Sequence, residues 1–345
     1  MSEDTLARIA RTVERRLERV FAESSAGRGT GLFPEPTRSL LLDQVRELTM
    51  RAGKRVRAAL LVCGARLFDG DAGEDPAVVD AAAAMELLHS YFLIHDDIMD
   101  DDATRRGGPS VHAALAARSG DDKLGRDLAI LAGDLAVALH ECLMSHLDAP
   151  PERRAGAARI FAEMHLDVVH GQTMDLLGGA DAEEVARRKT ASYTTVGPLA
   201  AGASLAGASE DEVERLADIA RPIGVAFQLR DDLLGAFGAP SVTGKPVGTD
   251  LRAGKRTVLV LEALSRADAE SRARIEAVLG DERASDAAVS DACARIERCG
   301  ARAACERRID ALLDEARRAI AKETYLPAGK ALLGHIADLV GRRLV

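Results

Sequence analysis

The sequence predicts an all-α protein, and three observations support that fold class. Apolar residues recur at helical spacing along most of the 345-residue chain, and the alternation typical of strands is nearly absent. Short segments rich in Gly, Pro or Asp interrupt the helical pattern, as loops between helices do. Aromatic residues make up only 3% and Trp is absent, so Ala, Leu, Val and Ile must build the core. Such side chains suit closely packed helices.

The helical segments follow one another with no stretch long or biased enough to serve as a domain linker. The first, within residues 1–36, is an amphipathic helix followed by a loop. Its apolar positions are Leu6, Ile9, Val13, Leu17 and Val20. Breaks are predicted at 27–36, 68–76, 107–109, 149–151, 178–181 and 235–254. We therefore expect a single all-α domain over residues 1–345, with roughly ten or more helices.

The composition excludes several classes of function. The formal net charge is −9 and the basic residues form no single stripe, which argues against nucleic acid binding. An acidic protein can bind an anion only through local cations or metal ions. The five cysteines are widely spaced without a Cys-x-x-Cys pair, which indicates reduced thiols and a cytoplasmic protein. No run of 18 uncharged apolar residues is present, so neither a membrane span nor a signal peptide is expected.

A first acidic cluster follows an apolar helical segment. It consists of five carboxylates in seven residues, Asp96, Asp97, Asp100, Asp101 and Asp102. Asp96 and Asp100 are four residues apart, so they share a helix face with Cβ atoms about 5–6 Å apart. Like charges near the negative end of a helix dipole destabilise one another unless a cation neutralises them. Oxygen ligands of this kind suit Mg²⁺, so we predict a magnesium site here.

Two arginines, Arg105 and Arg106, come directly after this cluster. A charge run at a helix end is most often a solvated surface, but that interpretation does not account for arginines beside metal-binding carboxylates. A phosphate group that bridges metal ions and guanidinium groups does account for them.

A second acidic pair, Asp231 and Asp232, ends the segment 227–232, and a loop with Lys245 and Lys255 follows it. We expect the two carboxylate sets, on separate helices, to face each other across a cavity. A diphosphate, several Mg²⁺ ions and the lysines would then form a neutral cluster. An Asp-Asp pair alone is weak support for a metal site, but the two sets together support it.

Another basic segment opens the apolar stretch that begins near residue 56. Lys54 and Arg57 are three residues apart and can converge on one phosphate group. A basic helix start on the surface is the alternative, and this segment alone does not decide between the two.

Taken together, these motifs resemble those of the trans-isoprenyl diphosphate synthase, or polyprenyl synthetase, family. The segments that carry the resemblance are GKRVR at 53–57, DDIMD with RRG at 96–107, GQTMDL at 171–176, KTASY at 189–193, FQLRDD at 227–232 and GKPVGTDLRAGKRT at 244–257. They occur in the expected order between about residues 50 and 260, and the region beyond about 270 carries little motif information. The resemblance implies an orthogonal helical bundle around a deep central cavity, and a homodimer.

The resemblance also assigns roles to individual residues. Asp96 and Asp100, supported by Asp97, would bind Mg²⁺ on the allylic diphosphate, and Asp231, with Asp232 nearby, would supply a further ligand. The remaining assignments are Lys189, Lys245 and Arg105 for the allylic diphosphate, Lys255 for a substrate diphosphate, Lys54, Arg57, His89 and Arg106 for isopentenyl diphosphate, and Thr190 and Gln228 near the reacting carbons.

The implied reaction joins isopentenyl diphosphate to an allylic diphosphate, either dimethylallyl, geranyl or farnesyl diphosphate. Three Mg²⁺ ions and the cationic side chains would stabilise the departing diphosphate. The alkene of isopentenyl diphosphate then attacks the allylic cation in a dry pocket, and a proton is lost. Because the released diphosphate can accept that proton, His95 and His112 are expected to be structural.

The sequence departs from the family pattern at two positions. Gly235 stands where the second motif usually has its third Asp, so we expect lower metal affinity but not inactivity. Ala58 replaces a frequent Pro, which we expect to matter little.

Product length is predicted from two aromatic residues before the first acidic cluster. Tyr91 and Phe92 lie five and four residues before Asp96, about one helical turn back. In the family, bulk at these positions limits chain length, so a C15 product is expected, with C20 second and C10 third. The alternative is that one of the two rings simply packs in the core.

Other functions fit the sequence less well. A class I terpene cyclase would need Asn, Ser and Glu in its second motif and would not need Lys54 and Arg57. The GKRVR and RRG segments also argue against a squalene- or phytoene-type synthase, and His95-Asp96 lacks the further ligands of an HD-type phosphohydrolase. A non-catalytic regulatory subunit of a prenyltransferase remains open, because such subunits lose acidic residues and Gly235 is one such loss.

Overall fold

The computed structural model describes residues 2–25, 35–51, 53–178, 181–238 and 247–342. Its α-helices are α1 Ser2–Ser25, α2 Asp43–Met50, α3 Val56–Phe68, α4 Pro76–Met99, α5 Val111–Ser119, α6 Asp122–Ser145, α7 Pro151–Leu177, α8 Ala182–Val185, α9 Gly197–Leu205, α10 Glu210–Phe237, α11 Thr249–Arg252, α12 Val258–Arg266, α13 Ala269–Glu276, α14 Asp286–Arg298, α15 Ala301–Lys322 and α16 Pro327–Arg342. Two π-helices (Arg38–Leu42 and Ala186–Val196), a short 3₁₀ helix (Ala72–Glu74) and a two-stranded ribbon, β1 Thr104–Arg105 and β2 Gly108–Pro109, accompany them. The predicted all-α fold class is confirmed.

The chain divides into two compact units. Unit 1 comprises Met1–Ile160, Pro198–Val213 and Tyr325–Leu332, and unit 2 comprises Phe161–Gly197, Glu214–Thr324 and Leu333–Val345. The single domain over 1–345 stays a prediction.

Helix α4 forms the centre of the core of unit 1. It begins where the Asp75 carboxylate accepts hydrogen bonds from the backbone N–H groups of Ala77 and Val78, with Pro76 at the first helical position. Its middle is buried throughout, including four consecutive alanines that allow close approach of its neighbours. The helix ends at Met99, inside the first acidic cluster, so its packing fixes the position of those carboxylates.

Two glycines allow helices α3 and α9 of unit 1 to pack backbone against backbone. A Cβ atom on Gly64 would lie 2.1 Å from the carbonyl oxygen of Leu199, and one on Gly202 would lie 1.9 Å from that of Leu61. Both distances are far below van der Waals contact, so any larger residue would force the helices apart. This crossing holds α3, whose first turn carries part of the basic segment.

The π-helix Ala186–Val196 of unit 2 packs closely against two α-helices. A Cβ on Gly171 of α7 would lie 2.4 Å from the backbone nitrogen of Lys189, and one on Gly224 of α10 would lie 2.4 Å from Oγ1 of Thr195. Wide turns of this kind occur frequently at functional sites, because they turn side chains away from the regular helical positions. Lys189 and Thr190, both predicted site residues, lie on this element.

The predicted breaks at 68–76, 107–109 and 149–151 agree with the helix ends. Residues 27–34, 179–180 and 239–246 of the other breaks lie outside the described residues. The structure differs from the prediction near the second acidic pair. Helix α10 continues two residues past Gly235 to Phe237, and the short helix α11 lies inside the segment 235–254 that was predicted as a loop. Local composition suggested a loop because it is rich in Gly, but Gly235 is kept helical by the buried turns before it. All five cysteines are free thiols, as the sequence predicted.

Two helices, α4 and α6, are long and apolar enough to cross a membrane by length and composition alone. Acidic residues interrupt both apolar stretches, Asp80 and Glu86 in α4 and Asp134 and Glu141 in α6, so neither helix contains a run of 18 uncharged apolar residues. In α4, 78% of the most apolar window is buried inside the protein, as in the core helix of a soluble protein. The corresponding share in α6 is 44%. Features of this kind are weak support for a membrane span.

Candidate functional site

The first acidic cluster lies where α4 ends. The backbone N–H of Asp100 donates to the carbonyl of Asp96 at 2.8 Å, so the helical register continues through both residues. The two half-buried carboxylates therefore lie on one face, as the spacing predicted. Asp101 then adopts a left-handed conformation, with φ of 53°, and turns the chain away from the helix axis.

Asp97 points the other way and is completely buried. Its Oδ1 accepts a hydrogen bond from Nε of Arg105 at 2.6 Å, while Nη2 of Arg105 donates to Asp102 at 3.1 Å and lies 3.5 Å from Asp96. Burial raises the pKa of Asp97 to about 6, although the charge of Arg105 opposes that rise. The same carboxylates raise the pKa of Arg105 against the effect of burial, so it stays charged. Arg105 therefore pairs mainly with Asp97, and its contact with Asp96 is the longest of the three.

The arginine pair lies on a tight hairpin. Thr104 pairs with Pro109 and Arg105 with Gly108, which leaves a two-residue turn of Arg106 and Gly107. Their φ angles are 53° and 73°, as a type I′ turn requires. Burial lowers the pKa of Arg106, an effect that the nearby Glu86 carboxylate opposes.

The basic segment has a different geometry from the one predicted. Helix α3 begins at Val56, and Arg55 before it is left-handed with φ of 48°. Lys54 therefore lies outside the helix that carries Arg57. The convergence of the two side chains on one phosphate group stays a prediction. Lys54 is exposed, and Nη1 of Arg57 lies 3.3 Å from Nε2 of His89 on α4.

His89 is buried among cations. Burial, together with the charges of Arg57, Arg106, Arg105 and Arg55, holds its pKa well below the usual value. The imidazole is therefore neutral near pH 7 and presents one N–H as a donor without adding to the positive charge.

Sequence reasoning missed the residues that hold this basic segment. The Arg55 side chain is only 1% exposed, and its Nη1 donates to Oε2 of Glu86 at 3.0 Å, while Nε donates to Glu14 at 3.2 Å. Glu86 is 3% exposed. A charged Arg and Glu at apolar-looking positions 31 residues apart carry no local signal that they pair.

The aromatic residues before the acidic cluster pack together with their ring planes tilted by 55°. The ring centroids of Tyr91 and Phe92 lie 5.2 Å apart, and those of Tyr91 and His95 lie 4.5 Å apart. Both Tyr91 and Phe92 are half-buried. His95 packs onto Gly133, where a Cβ would lie 2.2 Å from Cε1, and its Nδ1 lies 3.0 Å from the Tyr91 carbonyl oxygen.

His112 is the other histidine expected to be structural. It is buried, and its Nδ1 lies 3.3 Å from Oγ of Ser110. The contacts of His95 and His112 are those of packed side chains, which supports the structural role for both.

In unit 2, the predicted residues near the reacting carbons form a hydrogen-bonded chain. Oγ1 of Thr190 donates to Oε1 of Gln228 at 2.5 Å, and Nε2 of Gln228 donates to Oδ1 of Asp232 at 2.7 Å. Because the amide donates to the carboxylate, the orientation of Gln228 is fixed. Lys189 forms an ion pair with Asp175 of the GQTMDL segment at 2.7 Å.

Burial raises the pKa of Asp232 to about 7. The hydrogen bond from Gln228 lowers it, while the charges of Asp250 and Asp231 raise it further. Three carboxylates thus lie close together in unit 2, and they repel one another unless a proton or a cation intervenes. Asp231, unlike Asp232, is half-exposed.

The space at Gly235 is occupied by another acidic side chain. The backbone N–H of Gly248 donates to the Gly235 carbonyl at 3.1 Å, which brings the first turn of α11 against α10. A Cβ on Gly235 would then lie 2.0 Å from Oδ2 of Asp250. The carboxylate missing from position 235 is therefore replaced in space by that of Asp250, which sequence reasoning did not identify. Lys245 lies outside the described residues, and Lys255 is half-buried, with its backbone N–H donating to the Asp250 carbonyl.

The carboxylates fit Mg²⁺ bound together with a substrate. Within the described ranges, no group of three or more His, Cys, Asp or Glu side chains is arranged to hold a metal ion. Mg²⁺ is usually held by one or two carboxylates plus substrate phosphates and water, not by an all-protein cage. Half-buried Asp96 and Asp100, four residues apart at a helix end, match that donor set.

Comparisons with known proteins identify the family of this chain. The sequence pattern of the polyprenyl synthetase family matches residues 38–296. The short chain isoprenyl diphosphate synthase of Methanocaldococcus jannaschii is 34% identical over 73% of this chain and 75% of its own length. The (2E,6E)-farnesyl diphosphate synthase of Mycobacterium bovis is 36% identical over 74% of this chain and 69% of its own.

A crystal structure of geranylgeranyl pyrophosphate synthase from Corynebacterium glutamicum, complexed with isoprenyl diphosphate and magnesium, has a TM-score of 0.90 and 33% sequence identity. The similarity covers 98% of this chain and 99% of that one. An all-α fold with these acidic and basic motifs defines a prenyltransferase. The chain belongs to the polyprenyl synthetase family.

The buried Arg55–Glu86 pair gives a prediction for stability. Glu86→Ala leaves the Arg55 guanidinium charged and buried without its main partner, so the free energy of unfolding should fall by about 3–5 kcal/mol. Glu14→Ala removes the more exposed partner of the same arginine and should cost less than about 1 kcal/mol. Denaturant unfolding of both variants checks this, and equal losses would contradict the assignment of Glu86 as the main partner.

Proposed function

We propose that this prenyltransferase catalyses the Mg²⁺-dependent head-to-tail condensation of isopentenyl diphosphate with an allylic diphosphate, giving a short-chain prenyl diphosphate and diphosphate. The observation that carries the proposal is the separation of charges at the end of α4. Arg105 neutralises the buried Asp97, while the Asp96–Asp100 face stays half-exposed beside a group of cationic side chains. The names of the relatives, which are isoprenyl, farnesyl and geranylgeranyl diphosphate synthases, support the same reaction.

Asp96 and Asp100 would hold Mg²⁺ on the allylic diphosphate, and Asp231 would supply a further ligand, with three ions per site. When bound, Mg²⁺ neutralises the charge that develops on the leaving diphosphate. The half-buried environment of these carboxylates suits that role, because partial desolvation strengthens their attraction for a cation. The magnesium in the related Corynebacterium structure supports this assignment.

The cations divide between the two substrates. Lys54, Arg57, His89 and Arg106 would bind the diphosphate of isopentenyl diphosphate, with neutral His89 as a hydrogen-bond donor. Lys189, Lys255, Arg105 and Lys245 would bind the allylic diphosphate. Lys189 would have to exchange its ion pair with Asp175 for the substrate, which is a small cost for a partly exposed pair.

In the reaction, the allylic C–O bond breaks and the electron pair leaves with the diphosphate. The alkene of isopentenyl diphosphate then forms the new C–C bond, and a proton is lost to the released diphosphate. Thr190 and Gln228, held in one orientation by Asp232, would place oxygen atoms beside the allylic cation and stabilise it. No histidine is needed as a base.

The product is proposed to be C15, with C20 next, because the Tyr91 and Phe92 rings pack against each other one turn before Asp96. We further propose a cytoplasmic homodimer in which the whole chain acts as one catalytic domain. The family membership supports these proposals.

Loss of the metal face should abolish turnover while leaving the protein folded. Asp96→Asn keeps the shape of the side chain but removes its charge, and turnover should fall by at least about 100-fold, which corresponds to roughly 2.7 kcal/mol. Chelation of divalent ions should stop the wild-type reaction, and added Mg²⁺ should restore it. The assay is incorporation of labelled isopentenyl diphosphate into acid-labile product.

The matched control is Asp101→Asn. Asp101 is exposed and pairs with Arg126 outside the Asp96–Asp100 face. Asn, like Asp, tolerates the left-handed conformation of this position. Its turnover should stay within about twofold of the wild type. Near-normal turnover of Asp96→Asn would rule out the metal assignment.

Product length is tested by sizing the products obtained with dimethylallyl, geranyl and farnesyl diphosphate. Tyr91→Ala and Phe92→Ala should each lengthen the product beyond that of the wild type, because either change opens the space that the ring pair fills. If neither does, the end of the pocket lies elsewhere. No incorporation by a folded, metal-loaded wild type would favour a regulatory subunit.

The Gly235 position gives a test in which restoring the usual residue is harmful. Gly235→Asp must displace the Asp250 carboxylate, because the new Cβ would lie 2.0 Å from its Oδ2. We expect the Mg²⁺ concentration for half-maximal activity to rise about tenfold for Gly235→Ala, Gly235→Asp and Asp250→Asn alike, equivalent to about 1.4 kcal/mol.

The double variant Gly235→Ala/Asp250→Asn should show no further rise, because both changes remove the same carboxylate. Additive effects would mean that Gly235 acts independently of Asp250. A lower Mg²⁺ requirement in Gly235→Asp would show that the third Asp is simply missing.

A further inference from the structure

The turn that carries Arg106 is poorly stabilised by its own residues. A non-glycine residue in the left-handed region is strained, and Arg106 has no short polar side chain to compensate locally. The ribbon has only two residue pairs, whereas an isolated two-stranded hairpin is marginal in water even when longer. Contacts from outside the hairpin must therefore hold the turn.

Arg51, the residue that follows α2, makes those contacts. Its Nη1 donates to the carbonyl oxygens of Arg105 at 3.0 Å and Pro109 at 2.6 Å, one on each strand of the ribbon. Its Nη2 donates to Oε1 of Glu47 at 2.7 Å, one turn back on α2. The side chain is 15% exposed. A single guanidinium thus bridges both strands and is itself oriented by a carboxylate.

A glycine in the ribbon makes room for this guanidinium. A Cβ on Gly108 would lie 2.7 Å from Cζ of Arg51 and 3.0 Å from both of its terminal nitrogens. Gly108 has no positive φ that would require glycine, so its small size is explained by the approach of Arg51. On the other side, the Cβ position of Gly53 lies 3.7 Å from Cζ of Arg106. Arg51, the segment 53–57 and the ribbon are therefore fitted to one another through arginines and glycines.

We propose that Arg51 is a positioning residue: it holds the ribbon Thr104–Pro109 in register with the segment 53–57, so that Arg106 and Lys54 present their charges to one diphosphate. Its hydrogen bonds go to protein carbonyls and to Glu47, so it acts through the ribbon and not on the substrate. The kinetic part of this inference rests on the proposed function, but the structural part does not.

The test compares Arg51→Met with Arg46→Met, a matched change at an exposed arginine on the same helix. Arg51→Met should raise the KM for isopentenyl diphosphate by at least about tenfold while kcat falls by less than about threefold, because the donors are misplaced but the chemistry is intact. Arg51→Lys keeps the charge and should give an intermediate KM. Arg46→Met should leave both constants unchanged.

Hydrogen exchange supplies a readout that does not depend on activity. In Arg51→Met, the amide of Ser110, which donates to the Ala103 carbonyl beside the ribbon, should exchange at least about tenfold faster, whereas the amides of α4 keep their protection. If Arg51→Met does not fold, Gly108→Ala displaces the guanidinium from the other side and should give the same two effects.

Unchanged KM and unchanged exchange in a folded Arg51→Met would overturn the proposal, as would a loss of protection throughout unit 1, which would make Arg51 a residue of the fold in general. A wild-type protein without condensation activity would disprove the proposed function only. The exchange of Ser110 would then decide the role of Arg51 by itself.

Discussion

The ion pair between Asp97 and Arg105 is the interaction on which the site in unit 1 depends. A helix that ends in several carboxylates is unstable, because the charges repel one another and add to the negative end of the dipole. Arg105 reduces this repulsion because its positive charge pairs with the fully buried Asp97 carboxylate. It also contacts Asp102 and Asp96. The pair ties the end of α4 to the ribbon, so carboxylates and arginines keep a fixed relation. It thereby helps to fix the position of the Asp96–Asp100 face relative to the ribbon.

The backbone stores strain in the same region. Within the described residues, the non-glycine residues with positive φ are Arg55, Asp101 and Arg106. Each of the three lies in or beside a charged motif of unit 1. At each one the chain changes direction, so the neighbouring charged side chains do not follow the spacing of a regular helix or strand. Conformations of this kind persist only where surrounding contacts enforce them. Here Glu86 pairs with Arg55, and Arg126 pairs with Asp101. Arg51 donates to the carbonyl oxygen of Arg105, the residue before Arg106.

The sequence was sufficient to predict what depends on local pattern. Helical periodicity predicted the all-α fold, Asp75-Pro76 marks the start of α4 in the structure, and the spacing of Asp96 and Asp100 predicted one carboxylate face. Contacts between distant residues were not predictable in this way. Arg51 and Arg105 are 54 positions apart and Arg55 and Glu86 are 31 apart, so no periodicity connects them. The left-handed conformation of Arg55, which places Lys54 outside α3, was not predictable either, because a single residue that changes the direction of the chain leaves no signal in composition.

The basic side chains of unit 1 differ in their hydrogen-bond partners and in how deeply they are buried. Arg51, Arg55 and Arg105 donate to protein carbonyls or carboxylates, whereas Lys54 is exposed. The GKRVR motif therefore combines an exposed basic residue, Lys54, with a buried one, Arg55, that is paired with Glu86. Planar guanidinium groups suit such pairing, because they can satisfy several acceptors at once with little loss of freedom. The same division extends to the acids: Glu86 and Asp97 are buried partners of arginines, and the half-exposed Asp96 and Asp100 remain where a cation can reach them. The net charge of −9 is thus compatible with binding a diphosphate, because burial and pairing, not the overall charge, decide which groups meet the ligand.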